Sequence, residues 1–169
     1  MLLPSMSQQQ GIRLQDLDPQ GLAILDILQR NNTIPQRTID EMVNLSAAAV
    51  QRRISRLEKE GVIQSNVAVL NPVAVGLPIT VLVEVQIINE RLDLLESLKA
   101  TFLATPEVQQ CYYVTGETDF VLVVTVPSMH EYEALTKRLF FENHNVKHFT
   151  SLVVMDRVKA TLAVFLPTN

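Results

Sequence analysis

Apolar residues recur every three or four positions over the first third of the chain, and at every second position in much of the rest. The two periods predict helices first and a sheet afterwards. Leu22, Leu25 and Leu28, with Ile24, form a stripe at helical spacing. Asp18-Pro19 supplies its start, an N-cap followed by proline at the first helical position. Asn31-Asn32-Thr33 breaks the pattern. A second, short helix fits Pro35 to Val43, with Ile39, Met42 and Val43 as its apolar face. Asn44 then suits a sharp turn, because asparagine tolerates left-handed backbone. Ser46 can cap a third helix that runs from Ala47 to Glu60 and stops at Gly61. Its inward line is Val50, Ile54 and Leu57, and its outward line is Ala48, Gln51, Arg52, Ser55 and Arg56.

After this the period changes. Val62–Leu70 is rich in β-branched residues and reads as a strand leading out of the helical part, ended by Asn71-Pro72. Pro78–Ile88 alternates Val81, Val83, Val85 and Ile87 against Thr80, Leu82, Glu84 and Gln86, the mark of a half-buried strand. Leu92, Leu95, Leu98 and Phe102 predict a helix. Val108–Thr115 and Phe120–Val126 predict two strands around the turn Gly116–Asp119. Ser128 opens a further helix with Met129, Tyr132, Leu135 and Leu139 on one face, and Val146–Val158 is a last strand. The order β-α-β-β-α-β is that of a ferredoxin-like fold. The class is therefore α+β: an N-terminal helix-turn-helix, winged-helix-like unit and a C-terminal ferredoxin-like βαββαβ domain. The boundaries read as a flexible arm over 1–14, the helix-turn-helix over 15–62, a linker strand over 63–77 and the sheet domain over 78–169.

Charge first argues against a nucleic-acid partner, since 14 basic and 18 acidic residues leave a net −4. Its distribution reverses the argument. Up to Leu70 the chain is balanced: Arg13, Arg30, Arg37, Arg52, Arg53, Arg56 and Lys59 face Asp16, Asp18, Asp26, Asp40, Glu41, Glu58 and Glu60. The remainder carries the whole deficit. Arg52, Arg53, Arg56 and Lys59 crowd into eight residues, about two turns of the third helix. Such segregation points to two functional halves.

The outward face of the third helix has the arrangement that a DNA-reading helix needs. Ser46, Ala47 and Ala48 are small and let the helix start approach the floor of the major groove. Gln51 and an arginine can pair with base edges, and Ser55 and Arg56 extend the contact line. Arginines and the positive helix end can hold phosphates. A solvated basic face on an ordinary amphipathic helix has the same composition; the two preceding helices and the tight turn between them favour the helix-turn-helix. Arg53 flanks the buried line, which leaves a phosphate contact and an intraprotein ion pair equally open.

The pattern resembles the leucine-responsive regulator/asparagine regulator (Lrp/AsnC) family of transcription factors. The resemblance runs from about Leu17 to Lys159. It rests on Leu17-Asp18, Ile24-Leu25 and Leu28-Gln29. In the third helix it rests on Leu45-Ser46, Val50-Gln51-Arg52-Arg53-Ile54, Leu57-Glu58 and Gly61-Val62-Ile63. Further on it rests on Leu70-Asn71-Pro72, Gly76-Leu77, the stretch Val114 to Phe120, Val153-Val154-Met155 and Val158-Lys159. It implies a regulator of transcription that binds double-stranded DNA and is not an enzyme. It implies ligand binding and oligomerisation in residues 78–169, with homodimers formed through the sheets and assembling further, often to octamers. It also implies an amino-acid-like effector between dimers, near Gly116, Glu117, Thr118 and Asp119, and a place in the cytoplasm on the bacterial nucleoid. Glycine in that turn lets backbone approach a ligand, exposed amides suit a carboxylate, and Asp119 suits an ammonium group. A plain hairpin turn would use the same residue types. The runner-up reading is a small-molecule-sensing regulatory subunit whose helical half binds protein.

Several positions depart from the family pattern. Gly21, Pro35 and Asn44 stand where a cap or a glycine is usual. On the last strand Phe149 and Ser151 align with a usual pair of hydroxyl residues. Phenylalanine there removes a hydrogen-bonding partner and fills volume, so the expected effector differs from the typical ones or is absent. Asn143-His144-Asn145 replaces a usual Pro-Gly turn.

Other chemistry finds little support. One cysteine, Cys111, excludes an intrachain disulfide, suits a reducing compartment and reads as a core or interface residue. His144 and His148 lack a third ligand, so no metal site is expected, and no cofactor is implied. There is no Ser-His-Asp order and no glycine-rich phosphate loop. The start of the chain is too short in apolar residues for a signal peptide, and no run reaches the ~18 apolar residues of a membrane helix.

Overall fold

The computed structural model describes residues 17–166. They divide into two compact units, one of residues 17–68 together with 160–166, the other of residues 69–159.

The first unit holds three helices, α1 (Pro19–Arg30), α2 (Gln36–Val43) and α3 (Ala47–Lys59). Asp18 caps α1 by accepting from the Gly21 amide at 2.7 Å. Gly21 is the residue that fits, since a Cβ there would lie 3.0 Å from the capping oxygen. Asn44 closes α2 in the left-handed conformation (φ 55°, ψ 48°), as the turn requires. Ser46 then caps α3 through the Ala49 amide at 3.3 Å. Ile24, Ile39, Val50 and Ile54 make the buried centre, with Ile27, Leu28, Ile34, Val43, Leu45 and Ile63 packed around it. The face of α1 that turns inward is thus Gly21, Ile24, Ile27 and Leu28, and Leu22 and Leu25 flank it. Met42, expected on the apolar face of α2, stands exposed. The α3 line of Val50, Ile54 and Leu57 is buried as predicted.

The second unit is a four-stranded antiparallel sheet of β1 (Ile79–Ile87), β2 (Val108–Tyr113), β3 (Phe120–Val126) and β4 (Val146–Val153), in the order β2-β3-β1-β4. Helices α4 (Leu92–Ala104) and α5 (Met129–Thr136) complete it. This is the ferredoxin-like βαββαβ arrangement that the alternating pattern predicts. Val81, Val83, Val85, Phe120, Leu122 and Val124 point to one face and pack on Leu95, Leu98, Phe102, Leu135 and Leu139. Leu92 and Met129, placed on the inward faces by spacing alone, lie at the first turns of their helices and are exposed. A π-helical turn, Lys137–Phe141, extends α5. Its wider turn brings the adjacent Leu139 and Phe140 both inward.

Two expectations fail for want of a partner. Residues 62–70 form no strand, because no second strand lies beside them within their unit. The amides of Val62 and Ile63 instead close the end of α3 on the Leu57 carbonyl, at 2.9 and 3.1 Å. The last strand stops at Val153 rather than Val158, since its partner β1 begins at Ile79 and pairing runs out. Residues 160–166 group with the helical unit. Gln29 holds Val164 through two 3.0 Å bonds, its side-chain amide donating to the carbonyl and accepting from the backbone amide. The predicted arm over 1–14 lies outside the described residues.

Candidate nucleic-acid interface and effector turn

In α3 the buried line fixes what faces outward. Ser46, Ala47, Ala48, Gln51, Arg52, Ser55 and Arg56 are all exposed, on one side of a helix whose other side is in the core. Arg56 donates to Glu60 at 2.9 Å, one turn on. Among the described residues Arg52 has no ion-pair partner. Gln51 donates to the Ser55 hydroxyl at 3.3 Å and accepts from the side-chain amide of Gln36, the first residue of α2. Gln36 is a residue that helical periodicity does not single out. The signal lay in the fold alone, which brings two residues 15 apart together.

Of the two roles open to Arg53, the structure shows the ion pair. Its guanidinium lies 2.6 Å from Asp18, the residue that also caps α1. Burial by itself draws the Asp18 carboxyl upward. The Gly21 amide and the Arg53 guanidinium, helped by the charge of Arg56, outweigh it and hold the group below its ordinary value of 3.8. Asp18 thereby ties the start of the unit to α3.

The Gly116–Asp119 turn lies at the β2–β3 end of the sheet and is hooked onto β1. The Asp119 amide donates to Val85 O at 2.9 Å, and its carboxylate accepts from the Ile87 amide at 2.8 Å. The Thr118 hydroxyl donates to Val85 O at 2.9 Å, and Gln86 donates to Glu117 O at 2.7 Å. Gly116 needs its glycine, at φ 139°. Gly116 and Glu117 are exposed, whereas Thr118 and Asp119 are half-buried.

Phe149 and Ser151 are not gathered with this turn by any direct bond. They pair with Val85 and Val83 on the opposite side of β1 and share the helix-covered face. Phe149 packs on Phe140 (ring centroids 4.6 Å apart) and edge-on to Phe141 (5.4 Å). The Ser151 hydroxyl is 2.6 Å from the Tyr132 hydroxyl. Burial raises the Tyr132 pKa, and the bond to Ser151 opposes that rise. Asn145, in the segment that departs from the family, is buried. It accepts from the Asn89 amide and donates to the Asn89 carbonyl, both at 3.0 Å.

Cys111 sits exposed on the edge strand β2, opposite Leu122. Among the described residues no three metal-ligating side chains cluster, and no helix is long and apolar enough to cross a membrane.

A capped helix-turn-helix with a small, then basic, outward face, on a chain that also carries a ferredoxin-like sheet domain, defines a class: two-part proteins that join a helix-turn-helix unit to a separate sheet domain. Comparison with known proteins narrows the class. Residues 17–64 match the model of a winged helix-turn-helix DNA-binding domain, and residues 80–164 match the Lrp/AsnC ligand binding domain. The chain is 46% identical over 149 residues to the HTH-type transcriptional regulator y4tD of Sinorhizobium fredii, covering 88% of each. It is 35% identical over 145 residues to the leucine-responsive regulatory protein of Haemophilus influenzae, covering 86% of this chain and 87% of that protein. Its fold is similar to the crystal structure of a Neisseria meningitidis transcriptional regulator in complex with L-Met. There the TM-score is 0.84 at 29% identity, over 89% of this chain and 97% of the other. The chain belongs to the Lrp/AsnC family. It is a DNA-binding transcriptional regulator with a ligand-binding domain, and not an enzyme.

Proposed function

We propose that the protein binds specific DNA sequences as a homo-oligomer, and that an amino-acid-like effector bound between dimers modulates it. The observation that carries the DNA part is the exposed face of α3. Ser46, Ala47 and Ala48 bring the helix close to the groove floor. Gln51, Arg52 and Ser55 reach bases, and Arg56 holds phosphate. Arg53 serves through Asp18, by fixing α3 on α1. Replacing Arg52 or Arg56 by Ala is expected to weaken binding in a gel shift while circular dichroism stays unchanged. Wild-type affinity in both folded variants would refute this face.

Dimers form through the sheet face that carries Leu82, Val121, Val123 and Leu152, which no helix of its own unit covers. They assemble further, to an octamer or another multimer. A dimer sets two recognition helices in successive major grooves, roughly 34–36 Å or a multiple apart. Each unit brings few cations, so binding depends on many subunits and falls steeply with salt. Such a regulator works in the cytoplasm, on the nucleoid.

The effector lies by Gly116 and Glu117, which are exposed, with Asp119 and Thr118 keeping the turn in shape. The L-Met complex of the Neisseria relative supports an amino acid as the class. Phe149 in place of a hydroxyl, and Ser151 already held by Tyr132, argue for a ligand other than a small polar amino acid. A thermal-shift screen of the twenty amino acids tests this, and a strong response to a small polar one counts against it. Asp119→Ala is expected to keep DNA binding and blunt the response.

A further inference from the structure

Two helices of the reader meet at a polar contact on its outer surface. Gln36 opens α2 and is exposed; Gln51 lies one turn into α3 and is exposed. The Gln36 side-chain nitrogen donates to the Gln51 side-chain oxygen. The Gln51 nitrogen donates in turn to the Ser55 hydroxyl at 3.3 Å. Beneath this chain, Ile39 and Val50 are both in the buried centre, so the two backbones that present the amides are fixed against each other.

A side-chain amide has an oxygen with two acceptor positions and a nitrogen with two hydrogens. In Gln51 one of each is taken from within the protein. One acceptor position and one hydrogen remain, in an arrangement where the Gln36 nitrogen faces the oxygen and the Ser55 hydroxyl faces the nitrogen. Adenine offers the matching pair in the major groove, an acceptor at N7 and a donor at N6. Guanine offers two acceptors there, and cytosine a donor at N4. A fixed amide with one donor and one acceptor fits adenine, alone among the single bases, in two bonds.

We infer that Gln36 is a positioning residue that orients Gln51 to read the adenine of an A·T pair. The inference rests on the proposed DNA reading by α3 and adds to it a base identity and a residue outside α3. Gln36 acts through Gln51. Its loss leaves the phosphate contacts in place and frees the Gln51 side chain, which must then be ordered on binding.

The experiment uses the full chain and a random-sequence duplex library. The wild type, Gln36→Met, Gln51→Ala and the double variant each select from the library. Anisotropy titrations then measure the selected duplex and its single-base-pair substitutes. The wild type is expected to prefer A·T at one position of each half-site by about 5- to 100-fold. Gln51→Ala is expected to abolish that preference and leave the other positions unchanged. Gln36→Met, a near-isosteric change at an exposed site, is expected to reduce it about threefold. In the Gln51→Ala background it should have no further effect. Gln36→Lys, which keeps a donor facing the Gln51 oxygen, should retain the preference. An unaltered preference in Gln36→Met, an equal loss in both backgrounds, or a G·C preference lost with Gln51 would overturn the positioning role while the DNA reading stands. A wild type that enriches no sequence would overturn the DNA reading itself, and this inference with it.

Discussion

The two units solve opposite problems. The helical unit closes over a small centre of Ile24, Ile39, Val50 and Ile54, and leaves one whole side of α3 polar and outward. The sheet unit buries a broad layer in which Phe102 and Phe120 meet edge-on at 5.4 Å, and spends its polar groups on holding its own turns. In the first, the residues proposed to contact DNA are neighbours on one helix. In the second, the residues of the turn are meaningful only through β1, some thirty positions away. A reader of DNA needs a rigid surface of free donors and acceptors. The Gly116–Asp119 turn is instead held by side chains that are already bound.

The sharpest way to break this comparison is to unfold one unit and watch the other. All three tyrosines, Tyr112, Tyr113 and Tyr132, lie in the sheet unit, and the chain has no tryptophan. Tyrosine emission therefore reports that unit alone. Phe102→Ala is expected to cost the sheet unit about 3–5 kcal/mol, and Ile39→Ala to cost the helical unit about 2–5 kcal/mol. In urea, the first variant should lower the tyrosine midpoint. The second should lower a helical ellipticity transition and leave the tyrosine midpoint in place. A single transition that moves alike in both variants would show the units to be one cooperative body.

A smaller effect belongs to Asn145. Its side chain pairs in both directions with the backbone of Asn89, so Asn145→Ala strands a donor and an acceptor. A cost of about 1–3 kcal/mol is expected, read as a lower tyrosine midpoint with no change in DNA affinity.

The smallest concerns Asp18. Asp18→Asn keeps the helix cap, because asparagine caps as well as aspartate, and removes the charge beside Arg53. The pair is partly exposed, so about 0–1 kcal/mol is expected at neutral pH. The folded state holds the Asp18 carboxyl below 3.8, hence its contribution is full above that value and is lost as pH falls through the folded value. The gap between wild type and variant should therefore shrink below about pH 4. A gap that widens on acidification would contradict the ion pair.

Legibility followed the same division. The caps at Asp18, Asn44 and Ser46, the buried line of α3 and the alternation of β1 are local patterns, and each appears in the structure as the sequence predicts. The outward face of α3 was legible because it is the complement of that buried line. Pairing was not. Residues 62–70 have the composition of a strand and no neighbour to bond, and the stretch up to Val158 outlasts its partner, its last bond to β1 made by the Val154 amide. The hold of Gln29 on Val164, of Asp119 on Ile87 and of Gln36 on Gln51 joins residues that no periodicity relates. The inward turn of Phe140 needed a π-helical step that a 3.6-residue repeat does not contain.

The bond between Gln29 and Val164 has a consequence for the order in which the protein is made. The two residues are 135 apart, with the whole sheet unit between them. Translation at about 5–20 residues per second separates their appearance by roughly 7–30 s. The three helices emerge first, yet their unit gains its last segment only after every strand of the sheet has been synthesised. All four strands of the sheet are thus synthesised between two segments of the helical unit.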